Sequence, residues 1–459
     1  MHYEPLHDVS QRIRRRECSI PQLVSWQLER ISTLDKEIGA YCHLDEQGAL
    51  AAADRLQHEL LQGRWRGPLH GVPIAVKDIY GVQGQPFEIG MPSRRGALAT
   101  TTATVVRRLQ EAGAVILGRL HTTEGVYAEH TAPYQAPRNP WNQDRWVGVS
   151  SSGSAAATAA GLAYATLASD TGGSIRMPSS ANGVTGLKPT WGRVSRHGVF
   201  ELAATLDHVG PITRSAIDAG IVLQAIAGHD PLDPTSSTLP VEAYGRRRAT
   251  DLSGRRIGVD LDWALTEVSE ATARGLRDAL DVFEDLGAEI VPVLFPGTDA
   301  VVQDWFTVCG VQTAHAHEAS YPQHRDEYGG ALREVIDLGL RTSGVQYQEV
   351  LSRRARFKGQ AIAALLGLDA MIVPGLPFEA PLALDMIAMD EARVAQVHRY
   401  TVPFTMSQLP TLTMPSGFGV DGMPVSVQLV ALEFREDDLI ALGAAYQART
   451  SWHTTHPGL

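Results

Sequence analysis

The sequence predicts an α/β protein, on three observations. Helical and strand patterns alternate along most of the 459 residues. Composition, at 44% hydrophobic and 20% charged, supports an ordinary buried core. The one long uncharged stretch, residues 146–169, is mostly Ala, Gly, Ser and Thr, which lipid rewards poorly, so it reads as buried loop and helix rather than a membrane span.

The chain opens with helical patterns at about 21–34 and 47–63. In "HGVPIAVKDIYGV", Val72, Ile74 and Val76 alternate with Pro73, Ala75 and Lys77, the period of a half-buried strand. "TTATVVRRLQEAGAVILGRLHTTE" predicts a helix with threonines at its start, a stop at Gly113 and a strand over 114–117. Segment 154–168 is expected to be a small-residue helix packed closely beneath a site, and the Pro-, Asp- and Ser-rich residues 229–253 a surface connection. "GRRIGVD" then starts a strand, "ATARGLRDALDVFEDLGAEIVPV" gives a helix and a strand, and 300–366 is largely helical. "LDAMIVPGLP" and "MPVSVQLVAL" read as strands and "REDDLIALGAAYQAR" as the closing helix. There is no internal repeat or low-complexity tract, and nothing forces a two-domain division.

A formal net charge of −11 argues against nucleic acid or a membrane surface as a general partner. Three widely spaced cysteines, Cys18, Cys42 and Cys309, give neither a disulfide framework nor metal-ligand spacing and read as thiols of a reducing compartment. The N-terminus lacks the apolar run of a secretory signal, so a cytoplasmic location is expected.

Lysine is the informative count. Of 40 basic residues only four are lysine, at 36, 77, 188 and 358. Arginine stays protonated in proteins whereas a buried lysine can lose its proton, so a task needing a neutral amine excludes arginine. Lys77, in an apolar strand, is the candidate.

Residues 148–180 carry eight serines, at 150, 151, 152, 154, 169, 174, 179 and 180, with no histidine between His130 and His197 to activate one. Ser174 directly follows two glycines in "SDTGGSIRMP", and glycines let successive N–H groups converge on a developing oxyanion. A plain glycine turn is the alternative, while a phosphate loop would need a Gly-Lys-Ser/Thr that is missing. Ser151, Ser152, Ser154 and Ser169 are expected to cap helices or bond locally. "HAHE" (His315, His317, Glu318) would put an i, i+2 pair on different helix faces, so no metal site is expected. Cys309 lacks local support as a nucleophile. Trp141, Trp146 and Trp305 line a pocket or pack in the core.

Beyond these single features, "GVSSSGSAAA", "SDTGGSIRMPSS" and "GVTGLKPTWGRVSRHGV" together resemble the amidase signature family of serine hydrolases, which use a Ser–Ser–Lys set in place of a histidine triad. The resemblance extends through "GVPIAVKD", "GAVILGRLHTTE", "NPWNQDR" and "LDHVGPITRSAIDAGIVLQAIAGHDPLD", and returns in "YTVPFTMSQLPTLTMPSGFGVDGMPVSVQLV" and "YQARTSWHTTHP". It implies one domain over 1–459, with core motifs in 65–235 and 400–457 and a variable substrate-pocket region at about 295–395. The implied fold is a single large mixed, mostly parallel twisted β-sheet with helices on both faces.

By position the resemblance places the nucleophile on Ser174, the relay on Ser150 after a cis bond from Val149, and the base on Lys77. The oxyanion hole falls on the N–H groups of Thr171, Gly172, Gly173 and Ser174, with Asp170, Arg176 and Ser151 in support. Val149 stands where glycine is usual, Thr158 where an aliphatic residue is, and His121 where asparagine is common. For Lys77 to act as a base its pKa of about 10.4 must fall by roughly 2–3 units. The implied activity is hydrolysis of a small aryl or lipophilic amide, or of a carbamate (urethane) or ester, with no cofactor and no metal; a homodimer stays open. The alternatives are a glutaminase-type subunit passing ammonia to a partner, and a non-enzymatic binding protein on the same scaffold.

Overall fold

The structure, a computed structural model, describes residues 1–244, 251–387 and 389–459. Its strands are Tyr41–Leu44 (β1), Pro73–Lys77 (β2), Val115–Leu120 (β3), Ala165–Asp170 (β4), Thr185–Lys188 (β5), His208–Thr213 (β6), Arg256–Val259 (β7), Glu289–Pro292 (β8), Ala370–Pro374 (β9), Thr411–Phe418 (β10) and Pro424–Val430 (β11). Among the described residues they form one 11-stranded sheet, ordered β1-β3-β2-β4-β6-β5-β10-β11-β9-β7-β8.

The sheet is large and mixed as expected, but the "mostly parallel" part of that expectation is corrected. Four pairings are parallel (β2–β3, β2–β4, β7–β8, β7–β9) and six are antiparallel. The parallel blocks lie on either side of an antiparallel centre and follow helical crossovers: Thr104–Glu111 joins β2 to β3, and Glu270–Asp285 joins β7 to β8. β10 and β11 are joined by a five-residue loop, Gly419–Met423, too short for a crossover, so they pair antiparallel.

Helices cover both faces. Over β10, Leu412 and Met414 meet Gly443 of helix Glu436–Arg449, and Ser416 meets Gly275 of helix Glu270–Asp285. On the opposite face, Ser179 of helix Arg176–Asn182 packs against Gly186 of β5. β2 is buried at all five residues rather than on alternate ones, because it lies inside the sheet between β3 and β4.

The helices expected at 21–34 and 47–63 are Ile20–Ile38 and Glu46–Leu61. The small-residue helix is shorter than expected: Ser152–Ala159 ends before Gly161, whose φ of 66° breaks it, and 165–168 belong to β4. Val115–Leu120 runs three residues beyond the predicted strand. Of the connection at 229–253, residues 245–250 lie outside the described residues.

The four lysines divide by burial. Lys77 and Lys188 are fully buried, but Lys358 pairs with Glu433 at 2.8 Å and Lys36 is exposed. No described helix is long and apolar enough to cross a membrane.

Candidate active site

β2 and β4 are parallel neighbours, so Lys77, the last residue of β2, and Ser169 and Asp170, the last two of β4, come out at the same edge. The loop before helix Ser152–Ala159 brings Ser150 and Ser151 there too. Lys77 Nζ donates to Ser150 Oγ at 2.8 Å, Ser151 Oγ at 3.0 Å and Ser169 Oγ at 3.0 Å. All four side chains are buried, and the Val149–Ser150 peptide bond is cis. Burial pushes the Lys77 amine down to about 7 against the pull of the Asp170 and Asp207 carboxylates. Close to neutral pH this amine therefore has a substantial uncharged population.

Ser151 and Ser169 correct the local-bonding expectation. Ser151 makes no side-chain cap to the helix that follows; it binds Lys77 and donates to the Ser169 carbonyl at 3.2 Å. Neither tie could be read from one sequence, because the pairing of β2 with β4 is a long-range fact. Thr158 is accommodated by bonds to the Ser154 carbonyl at 2.9 Å and Thr166 Oγ1 at 3.1 Å.

After β4 the chain turns through Thr171–Ser174 into helix Arg176–Asn182. Asp170 organises that turn. Its carboxylate accepts from Gly173 N at 2.9 Å, Ile175 N at 3.0 Å and, as a fork, from Arg176 Nε at 2.9 Å and Nη2 at 2.8 Å. Burial pushes the Asp170 carboxyl up, but the Arg176 charge and hydrogen bonds overcome it and hold the group well below the usual carboxylate range. Arg176 reaches onward to the Thr401 carbonyl and Thr405 Oγ1, both at 2.7 Å. Asp170 and Arg176 thus hold the turn through these bonds.

Gly173 departs from the expectation for the oxyanion hole. Its N–H is committed to Asp170, whereas those of Thr171, Gly172 and Ser174 have no partner among the described residues. The turn therefore offers three free donors rather than four. Gly173 has φ +142° and Gly172 lies against Trp305, so neither position accepts a side chain readily.

Ser174 is half-buried on the wall of a cavity of about 460 Å³. Trp146, Trp305, Phe306, Met177, Met386 and Met389 supply much of its apolar lining. Glu129 and Glu334 are its acidic residues, and no Lys or Arg lies among the described lining residues. His398 also lines it and was missed in the sequence, which offers no local signal for it. Its Nδ1 donates to the Val394 carbonyl at 2.8 Å, and burial lowers its pKa. Trp141 stands outside this wall, against Phe418 at 5.1 Å. His121 stands outside it too.

His130 is near the lysine but hydrogen-bonds to Ser152 Oγ, at 3.0 Å, and burial pushes it down to about 3. His315 pairs with Glu318 on the surface while His317 is buried against Tyr328, so "HAHE" splits as its spacing implied. Among the described residues no group of His, Cys, Asp and Glu is placed to hold a metal.

The Amidase family model matches residues 22–440, and the chain belongs to this family, the amidase signature family. A Mycobacterium tuberculosis protein named "Putative amidase AmiD" is 40% identical over 98% of this chain and 95% of its own. A glutamyl-tRNA(Gln) amidotransferase subunit from Geobacter metallireducens is 32% identical over 99% of each chain. Among solved structures, the peptide amidase of Stenotrophomonas maltophilia superposes with a TM-score of 0.84 at 29% identity, over 97% of this chain and 96% of that one.

Proposed function

We propose that this chain hydrolyses a small-molecule carboxamide or related acyl–nitrogen bond through an acyl-enzyme on Ser174. The observation that carries the reading is a buried lysine, brought down to about 7, 2.8 Å from the Ser150 hydroxyl. With the amine neutral, Lys77 Nζ keeps two N–H donors for Ser151 and Ser169 and accepts from Ser150; Ser174 Oγ attacks the carbonyl carbon, its proton passing to Ser150 Oγ as the Ser150 proton passes to the Lys77 lone pair. The oxyanion is held by the N–H groups of Thr171, Gly172 and Ser174, each worth about 3 kcal/mol in the transition state. As the C–N bond breaks, the proton returns from Lys77 through Ser150 to the leaving nitrogen, releasing the amine. Water then attacks the ester by the same relay and frees the acid and Ser174. The chemistry needs no metal or cofactor and applies equally to carbamates and esters.

The wall supports an aryl or lipophilic substrate. Its apolar part includes Trp146, Trp305 and Phe306 with Met177, Met386 and Met389, and Met side chains adapt to varied apolar shapes. Trp305, Phe306, Glu334, Met386 and Met389 come from 295–395, which supports that region as the part of a single 1–459 domain that chooses substrates. The glutaminase alternative draws support from the amidotransferase relative, but a pocket with two carboxylates and no cation among its described lining residues is poorly suited to glutamine's own carboxylate. The reading places the enzyme in the cytoplasm acting on a small molecule.

A turnover panel of anilides, primary amides, aryl carbamates and glutamine, assayed with the isolated chain, tests this. Aryl amides or carbamates should be cleaved and glutamine should not. Glutamine as the preferred substrate would overturn the reading.

A further inference from the structure

The peptide planes of the Ser174 turn are fixed one at a time. In the second unit, the Gly172 carbonyl accepts from Thr401 Oγ1 at 2.7 Å and the Gly173 N–H goes to Asp170 at 2.9 Å. In the first unit, the Thr171 carbonyl accepts from Trp305 Nε1 at 2.8 Å. The Gly172 N–H, at the other end of that unit, has no partner among the described residues. This unit is trans, so its C=O and N–H point in opposite directions, and whatever holds the carbonyl also aims the N–H. The same indole covers Gly172, where a Cβ would lie 2.5 Å from Trp305 Cζ2. Trp305 itself is 5% exposed and braced by Phe306 at 4.9 Å and His398 at 5.3 Å between ring centroids.

We propose that Trp305 is a positioning residue for oxyanion stabilisation: its indole N–H fixes the Thr171–Gly172 plane and so directs the free Gly172 N–H. The residue lies in helix Asp299–Ala316, within the region where the family motifs are weak, and not in the glycine turn it controls. Because the ring also lines the substrate cavity, an acyl group seated against it acts on the plane that carries the donor. Substrate fit and transition-state stabilisation are then coupled through one side chain. The inference rests on the Ser174 reading above.

Two variants test it: Trp305→Phe, and replacement of Trp305 by 3-benzothienylalanine, which keeps the bicyclic shape but has no N–H donor. Both should lower kcat by about tenfold or more, and in the benzothienyl variant, which keeps the ring that lines the cavity, KM should change less than about twofold. Affinity for a boronic acid that forms a tetrahedral adduct should fall in parallel with kcat/KM. Unchanged kcat in the benzothienyl variant would overturn the inference, as would kcat and KM shifting together with a lowered unfolding midpoint, which a merely structural role produces. Failure of the Ser174 reading is seen separately, as an absence of boronate or fluorophosphonate adduct on Ser174 in the wild-type chain.

Discussion

Replacing Lys77 with methionine probes the state of the amine through stability as well as rate. Lys77 is fully buried and its pKa lies near 7, against 10.5 for an ordinary lysine. Between these values the unfolded chain holds a proton that the folded chain does not, so the wild type gains stability as pH rises through that window. One such group gives about 1.4 kcal/mol per pH unit at full slope, which integrates to about 2.5 kcal/mol between about pH 7.5 and 9.5. Lys188 is also buried with a strongly lowered pKa, but it is common to both chains and cancels in the difference. Urea unfolding of wild type and Lys77→Met across that range should show the stability difference moving by this amount in favour of the wild type. Activity should be lost in the variant, and wild-type kcat/KM should rise with pH through about 7 as the base form appears. A difference that stays flat from pH 7.5 to 9.5 would mean that Lys77 titrates as an ordinary lysine, and would refute the neutral-base reasoning.

Other outcomes follow from the same contacts. Ser150→Ala should fold normally and lose about 10²- to 10⁴-fold in kcat, measured by initial rates, because Lys77 then has no relay to Ser174. His398→Gln should keep kcat within about tenfold; a thousandfold loss would move the base to the cavity histidine. Arg176→Met leaves the Asp170 carboxylate buried without its fork and should cost about 3–5 kcal/mol in urea unfolding at neutral pH.

Local chemistry made much of this site legible. The glycines before Ser174 and the scarcity of lysine with the apolar setting of Lys77 pointed to two positions, the family resemblance alone supplied Ser150, and the structure brings Lys77 and Ser150 into contact, with Ser174 on the turn that follows β4. The outer helices were equally readable, since a surface helix writes its period into sequence. What stayed hidden depends on partners distant in the chain. The antiparallel centre of the sheet, the third serine on Lys77 and the indole behind Gly172 are all set by tertiary pairing. The helix expected to run to 168 failed for a local reason: its Ala-rich run continues past the Gly161 break into a buried strand, and buried strands and helices share the same apolar composition.

The central claim is that Ser174, and no other of the clustered serines, forms the acyl-enzyme. Labelling the intact protein with a fluorophosphonate and mapping the adduct by peptide mass spectrometry addresses it directly. The account predicts a single adduct on Ser174, abolished in Ser174→Ala and strongly slowed in Lys77→Met. An adduct on Ser150, Ser151 or any other serine in the wild-type chain would contradict it.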